Sequence, residues 1–143
     1  MNFLLYLSPQ SMEIYNMISK KVRVVENAPV CRQHQIYGWF DVVKNKMTMC
    51  TDQILSGDSP SYYINETLLH ESAHIAQGCK MGMRDIKAFG LSKADTPLSD
   101  RRESDLTVAN KISGPNSYFI EREAFWMEDK PNQVKYVVQK YCF

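Results

Sequence analysis

The chain has 143 residues, with 17 basic and 16 acidic side chains and a formal net charge of +1. That length suits one domain with a substantial core, and the balanced charge gives no field that would select nucleic acid or an anionic membrane. No apolar run approaches the ~20 residues of a membrane span. The opening MNFLLYLSPQ has only Phe3 to Leu7 as an apolar run and no basic residue before it, a poor secretory signal, so a soluble cytoplasmic protein is expected. Cys31, Cys50, Cys79 and Cys142 show no CxxC spacing. Reduced, mostly buried thiols follow from that setting, with Cys31 and Cys50 placed to face each other across neighbouring strands.

Ser8-Pro9 reads as an N-cap and first turn, and Met12, Tyr15 and Ile18 recur at helical spacing, so an amphipathic helix is expected over 9–20. Lys21 to Glu26 alternates charged and β-branched residues as a strand does, and breaks at Asn27-Ala28-Pro29. Gln35 to Val43 and Lys46 to Cys50 form a strand pair around the turn residues Lys44-Asn45, a hairpin. His34 just before it reads as an ordinary loop or strand residue. A helix follows from Ser59 or Ser61, with Pro60 in its first turn and Gly78 placed to stop it; Leu68, Ser72, Ile75 and Ala76 make its buried stripe.

The connection from Cys79 to Pro97 is polar, with a short apolar patch from Ala88 to Leu91, and reads as a loop over a cleft. Residues 98–111 carry mixed charge with sparse apolar positions at Leu106 and Val108, a partly exposed helix ended by Ser113-Gly114-Pro115. Asn116 or Ser117 caps an apolar helix that must stop before Pro131. On it Glu121, Phe125 and Glu128 share one face, and Ile120, Ala124 and Met127 another. A last helix, Asn132 to Tyr141, presents Val134, Val137, Val138 and Tyr141 to the core.

The chemistry concentrates in NETLLHESAHIAQ, residues 65–77. His70 and His74 are four residues apart, so on a helix they share a face with β-carbons roughly 6 Å apart and can converge on one metal ion. Glu71, one step round, is placed to act on a water beside that metal as general base. Catalytic zinc sites take three protein ligands. No histidine lies beyond His74, and Gln77 and Lys80 stand where an extended HExxHxxGxxH motif would need Gly and His, so the third ligand must be a carboxylate or a cysteine. Glu121 and Glu123 stand out, because a carboxylate within an apolar helix is costly unless paired or metal-bound. The plainer alternative for Glu121 is a surface carboxylate paired with Arg122 or Lys130.

HESAH on one helix followed by EREA on a later one resembles the glutamate-ligand zinc metallopeptidases, the gluzincins, especially their small intracellular members with an E-x-x-A helix. The resemblance implies a zincin-like α+β single domain over 1–143, a small sheet packed on the HExxH helix and a helical C-terminal half. It makes His70, His74 and Glu121 the ligands of Zn2+, with Glu71 the general base and Glu123 the reserve ligand, otherwise a modest contributor to stability. The sheet edge of such domains lies above the metal and can hold an extended peptide. Several relatives carry an Asp four residues after the ligand Glu; Phe125 stands there in this chain, leaving Glu128, Asp129, Asp100 and Asp105 as candidates to orient a zinc histidine.

The expected reaction is hydrolysis of a peptide or protein substrate, in which Glu71 takes the proton of the attacking water and passes it to the leaving amine. Tyr118, Tyr136, Tyr141, Arg122 and His34 are all candidates to stabilise the oxyanion. A catalytically silent zincin-fold binding module and a zinc amidase acting on a non-protein amide fit the same residues. The sequence does not set the oligomeric state.

Overall fold

Ser8 opens the first helix by accepting a hydrogen bond from the Ser11 amide, and Pro9 occupies the first turn, where its missing N–H costs nothing. A computed structural model describes all residues, 1–143, as a single α+β domain of seven helices and one three-stranded sheet. After a 3-10 turn at Asn2–Tyr6 come α1 (Pro9–Ile18), β1 (Arg23–Glu26), α2 (Val30–Gln33), β2 (Gly38–Asp41), β3 (Lys46–Met49), α3 (Thr51–Leu55), α4 (Pro60–Lys80), α5 (Asp100–Ser113), α6 (Tyr118–Met127) and α7 (Pro131–Cys142). No helix is long and apolar enough to cross a membrane.

The hairpin forms as expected. β2 pairs antiparallel with β3, Phe40 opposite Met47, while β1 pairs parallel with β3 on its other side. The order β1-β3-β2 leaves β2 with a free edge, and the central strand is buried, with Met47 and Met49 both in the core. α4 is the axis of the domain: it packs against α1, α6, α7 and β2. Leu68, Ser72, Ile75 and Ala76 are all buried on it, and Val134, Val137 and Val138 of α7 meet the same core. Asn65 fastens the N-terminal segment to α4, its amide donating to the Tyr6 and Ser61 carbonyls and accepting from the Ser8 amide.

Three local expectations are corrected. The short helices α2 and α3 have too few residues to show a periodicity. Ser59 stands at the N-cap of α4 but in a left-handed conformation, φ 55°, with no side-chain capping bond. Gly78 does not stop α4, which runs on to Lys80. Its glycine serves packing, since a Cβ there would lie 3.2 Å from both the Phe40 ring and the Met83 sulfur.

The cysteines overturn the expectation of reduced thiols. Cys31 is bonded to Cys50 and Cys79 to Cys142, leaving none free. The second pair was hidden by a sequence separation of 63, and it joins the C-terminal ends of α4 and α7, where the Cα atoms stand 5.1 Å apart. On loop-closure entropy, replacing Cys79 and Cys142 by Ala costs about 4 kcal/mol and replacing Cys31 and Cys50 about 3 kcal/mol. Urea unfolding of the two double variants measures both losses, and thiol titration of the denatured, unreduced protein should find no free thiol.

Candidate metal centre

α4 brings His70 and His74 to one face, and α6 crosses it with Glu121 opposite. One Glu121 oxygen, Oε1, lies 3.3 Å from His70 Nε2 and 2.7 Å from His74 Nε2. His70, Glu71 and His74 each offer a donor atom within 4.8 Å of the others. Glu121 makes no pair with Arg122 or Lys130: Arg122 donates to Glu103, Tyr118 and Thr96, and Lys130 to Asp129 and the Trp126 carbonyl. Its second oxygen accepts from Ser113 Oγ at 3.3 Å.

The far nitrogens of both rings are spoken for, and this fixes their tautomers. Glu128 Oε1 lies 2.9 Å from His70 Nδ1, and an ionised carboxylate can only accept, so the proton is on Nδ1. At His74 the partner is Gln77 Oε1, 2.8 Å from Nδ1. Gln77 is oriented by its own amide nitrogen, which donates to the Ile120 carbonyl and to Glu123 Oε1, so its oxygen must face His74. Both Nε2 atoms therefore turn lone pairs toward the Glu121 carboxylate. Three electron-rich atoms converging in a buried place require a cation among them, either protons or a metal ion.

The charges of the chain's own groups favour protonated imidazoles in that role. Burial pulls the His70 pKa down, yet hydrogen bonds to Glu121 and Glu128 outweigh it and leave it well above the usual histidine range. Burial also opposes a raised pKa at His74, and the Glu121 charge again prevails. Burial would raise Glu121, but the charge of His74 and the hydrogen bonds of both imidazoles hold it well below the usual carboxylate range. The donor set also fits zinc. Bonds of about 2.0–2.1 Å put neighbouring ligands of a tetrahedral ion about 3.3 Å apart. His70 and Glu121 stand at 3.3 Å, His74 and Glu121 at 2.7 Å, and donor atoms of the two histidines within 4.8 Å of each other.

Glu71 is different. Its Oε2 is buried and without any hydrogen-bond partner, and burial pushes its carboxyl up. Such an oxygen is costly to leave bare. The residue lines the cleft beside the two histidines.

Of the acids that sequence reasoning offered behind the histidines, only Glu128 reaches one, at His70 Nδ1. Asp129 binds Arg102 and Lys130, and Asp105 lies 3.7 Å from Arg101. Glu128 stands seven residues after Glu121, two helical turns and so the same face, and Phe125 between them sets its ring against that of His70 at 4.5 Å. Sequence reasoning missed Gln77; its only signal was an amide on the buried side of the helix three residues after His74. Glu123 makes no contact with either histidine. Fully buried, it accepts from the Phe89, Gly90 and Leu91 amides and from Gln77. It pins the loop over the cleft, as Arg122 does through Thr96.

A cleft of about 1200 Å³ opens onto His70, Glu71, His74 and Glu121. The free-edge strand β2 and Tyr37 form one wall, and Val108, Ala109 and Ile112 of α5 another. None of Tyr118, Tyr136, Tyr141, Arg122 or His34 lines it; Tyr37, Tyr63 and Asn116 do. His34 instead stacks on Trp39, ring centres 6.2 Å apart. At Gly38 the strand passes directly over α4, where a Cβ would lie 2.6 Å from Thr67 Cγ2 and 3.0 Å from Glu71 Cγ.

The chain belongs to a family described as a domain of unknown function, DUF8637, whose model matches residues 3–143. No curated protein and no solved structure matches it.

Gly38→Ala should therefore destabilise the fold by about 1–3 kcal/mol through overpacking. Adding Thr67→Ser, which removes the obstructing methyl, should restore part of the loss, and denaturant midpoints of the single and double variants check this. Glu123→Ala strands three loop amides and should cost about 3 kcal/mol or more; it should also raise the proteolytic sensitivity of residues 81–99, read by limited digestion.

Proposed function

We propose that the protein is a zinc-dependent hydrolase of zincin-like fold, a metallopeptidase of the glutamate-ligand class. His70, His74 and Glu121 would hold the zinc, and Glu71 is the general base. The observation that carries this reading is the meeting of both Nε2 atoms on a single Glu121 oxygen, with both Nδ1 atoms already committed elsewhere. Zinc in that position supplies a Lewis acid and a water of lowered pKa.

The chain's own residues support the rest. Glu71, with a bare buried oxygen and a carboxyl pushed up by burial, takes a proton from water and returns it to the leaving amine. That favours an enzyme over a catalytically silent module, in which an unpartnered buried carboxylate would be cost without return. The free edge of β2 can bind an extended peptide by main-chain hydrogen bonds, and a cleft of about 1200 Å³ is large for a small amide. Two disulfides favour an oxidising compartment over the cytoplasm expected from the opening of the sequence.

Elemental analysis of zinc-supplemented protein should find one zinc per chain, and His70→Ala and Glu121→Ala should each abolish tight binding. Protein without zinc under those conditions overturns the reading. Glu71→Gln should keep its zinc and lose about 100-fold or more in turnover on a peptide library cleaved by the wild type. Full turnover in that variant would remove Glu71 from its role.

A further inference from the structure

We propose that Arg102 is a positioning residue of this centre: its guanidinium ties the histidine helix to the glutamate helix and holds Glu128 against His70. The inference rests on the zinc reading above and assigns a residue outside the motif helices. Arg102, near the start of α5, donates through Nε to Glu128 Oε2 at 2.8 Å and through Nη2 to Glu66 Oε2 at 2.9 Å, with Nη1 3.4 Å from Asp129. Glu66 lies one turn before His70 on α4. Glu128 closes α6, two turns after Glu121.

One planar fork thus spans both ligand-bearing helices. Glu128, only 3% exposed, gives its other oxygen to His70 Nδ1. The oxygen held by Arg102 would otherwise sit buried near the Glu66 carboxylate with only the more distant Arg101, 3.7 Å away, to balance it. Without the guanidinium the two carboxylates repel, Glu128 has reason to turn away, and the His70 ring loses the contact that orients it. Lysine could supply charge but not the fork.

Two features separate this role from neighbouring ones. Arg102 does not line the cleft, so substrate contact is not its task. Arg101 does line it, pairs with the same Glu66 at 2.7 Å, and approaches Glu128 no closer than 3.7 Å from a more exposed position. It is a built-in control with the same chemistry and no hydrogen bond to Glu128.

Zinc affinity, measured by competition with a chromophoric chelator, tests the assignment, with the visible spectrum of the cobalt-substituted protein as a second readout. Arg102→Met should weaken zinc by about 10–100-fold, the usual effect of losing support behind a metal ligand. Arg101→Met should weaken it by less than about fivefold, as for an exposed ion pair. If Arg102 acts through Glu128, the double variant Arg102→Met/Glu128→Gln should bind zinc within about twofold of Glu128→Gln alone, and the cobalt spectra of the two should coincide. Arg102→Lys should fall between wild type and Arg102→Met. Should Arg102→Met fail to fold, as judged by circular dichroism, Arg102→Lys decides, and wild-type affinity in it overturns the assignment. Unchanged affinity in Arg102→Met, or losses that add to those of Glu128→Gln, overturn it while leaving the zinc reading intact. A wild-type protein that takes up no zinc overturns both.

Discussion

Burying charge between two helices is the constraint on which the rest of this structure depends. Glu71, Glu121 and Glu128 are all less than a tenth exposed and crowd two imidazoles in the contact between α4 and α6. Uncompensated, such a set would push the helices apart, because each ionised group carries several kcal/mol of lost hydration. It holds together because every donor has an acceptor in line: Gln77 and Glu128 behind the rings, Glu121 in front, and Ser113, Glu123 and Arg102 behind those. Of the two bare buried oxygens, Glu71 Oε2 and Ser72 Oγ, the first belongs to a residue that lines the cleft. In the proposed enzyme that is where the chemistry needs it.

α6 shows how densely four letters can be used. Glu121 meets the histidines; Arg122, 3% exposed, clamps Thr96 and Glu103; Glu123 gathers three loop amides; Ala124 is fully buried in the core. The loop over the cleft and the candidate ligand are thereby borne on consecutive residues of one rigid helix. A disturbance of the loop anchor reaches His74 through Gln77, and one at Arg102 reaches His70 through Glu128.

What the sequence made legible were the elements with long periods or local punctuation. The caps and prolines at Ser8-Pro9 and Pro131, the turn at Lys44-Asn45 and the i, i+4 histidines are short-range signals, and each lies where it was expected. The face shared by Glu121, Phe125 and Glu128 was also readable, and all three meet His70. What the sequence hid was long-range. Nothing near Cys79 points to Cys142, nothing near Glu123 points to the Phe89 amide, and the acid that orients His70 sits two turns rather than one from the ligand. Gly78 misled because a glycine that ends a helix and one that lets a neighbour approach look alike until the neighbour, Phe40, is in place.

The same kind of glycine, Gly38, has a different consequence at the cleft. Where β2 crosses α4 no side chain separates sheet from helix, so their spacing there is set by backbone against Thr67 and Glu71. A groove walled by side chains can be widened by trimming them, and lineages can retune it one methyl at a time. At Gly38 there is nothing left to trim, although Trp39 and Phe40 beside it do line the cleft. Substitution can retune the cleft at Trp39, Phe40, Val108, Ala109 and Ile112, while the backbone at Gly38 stays a fixed rail beside the candidate metal centre.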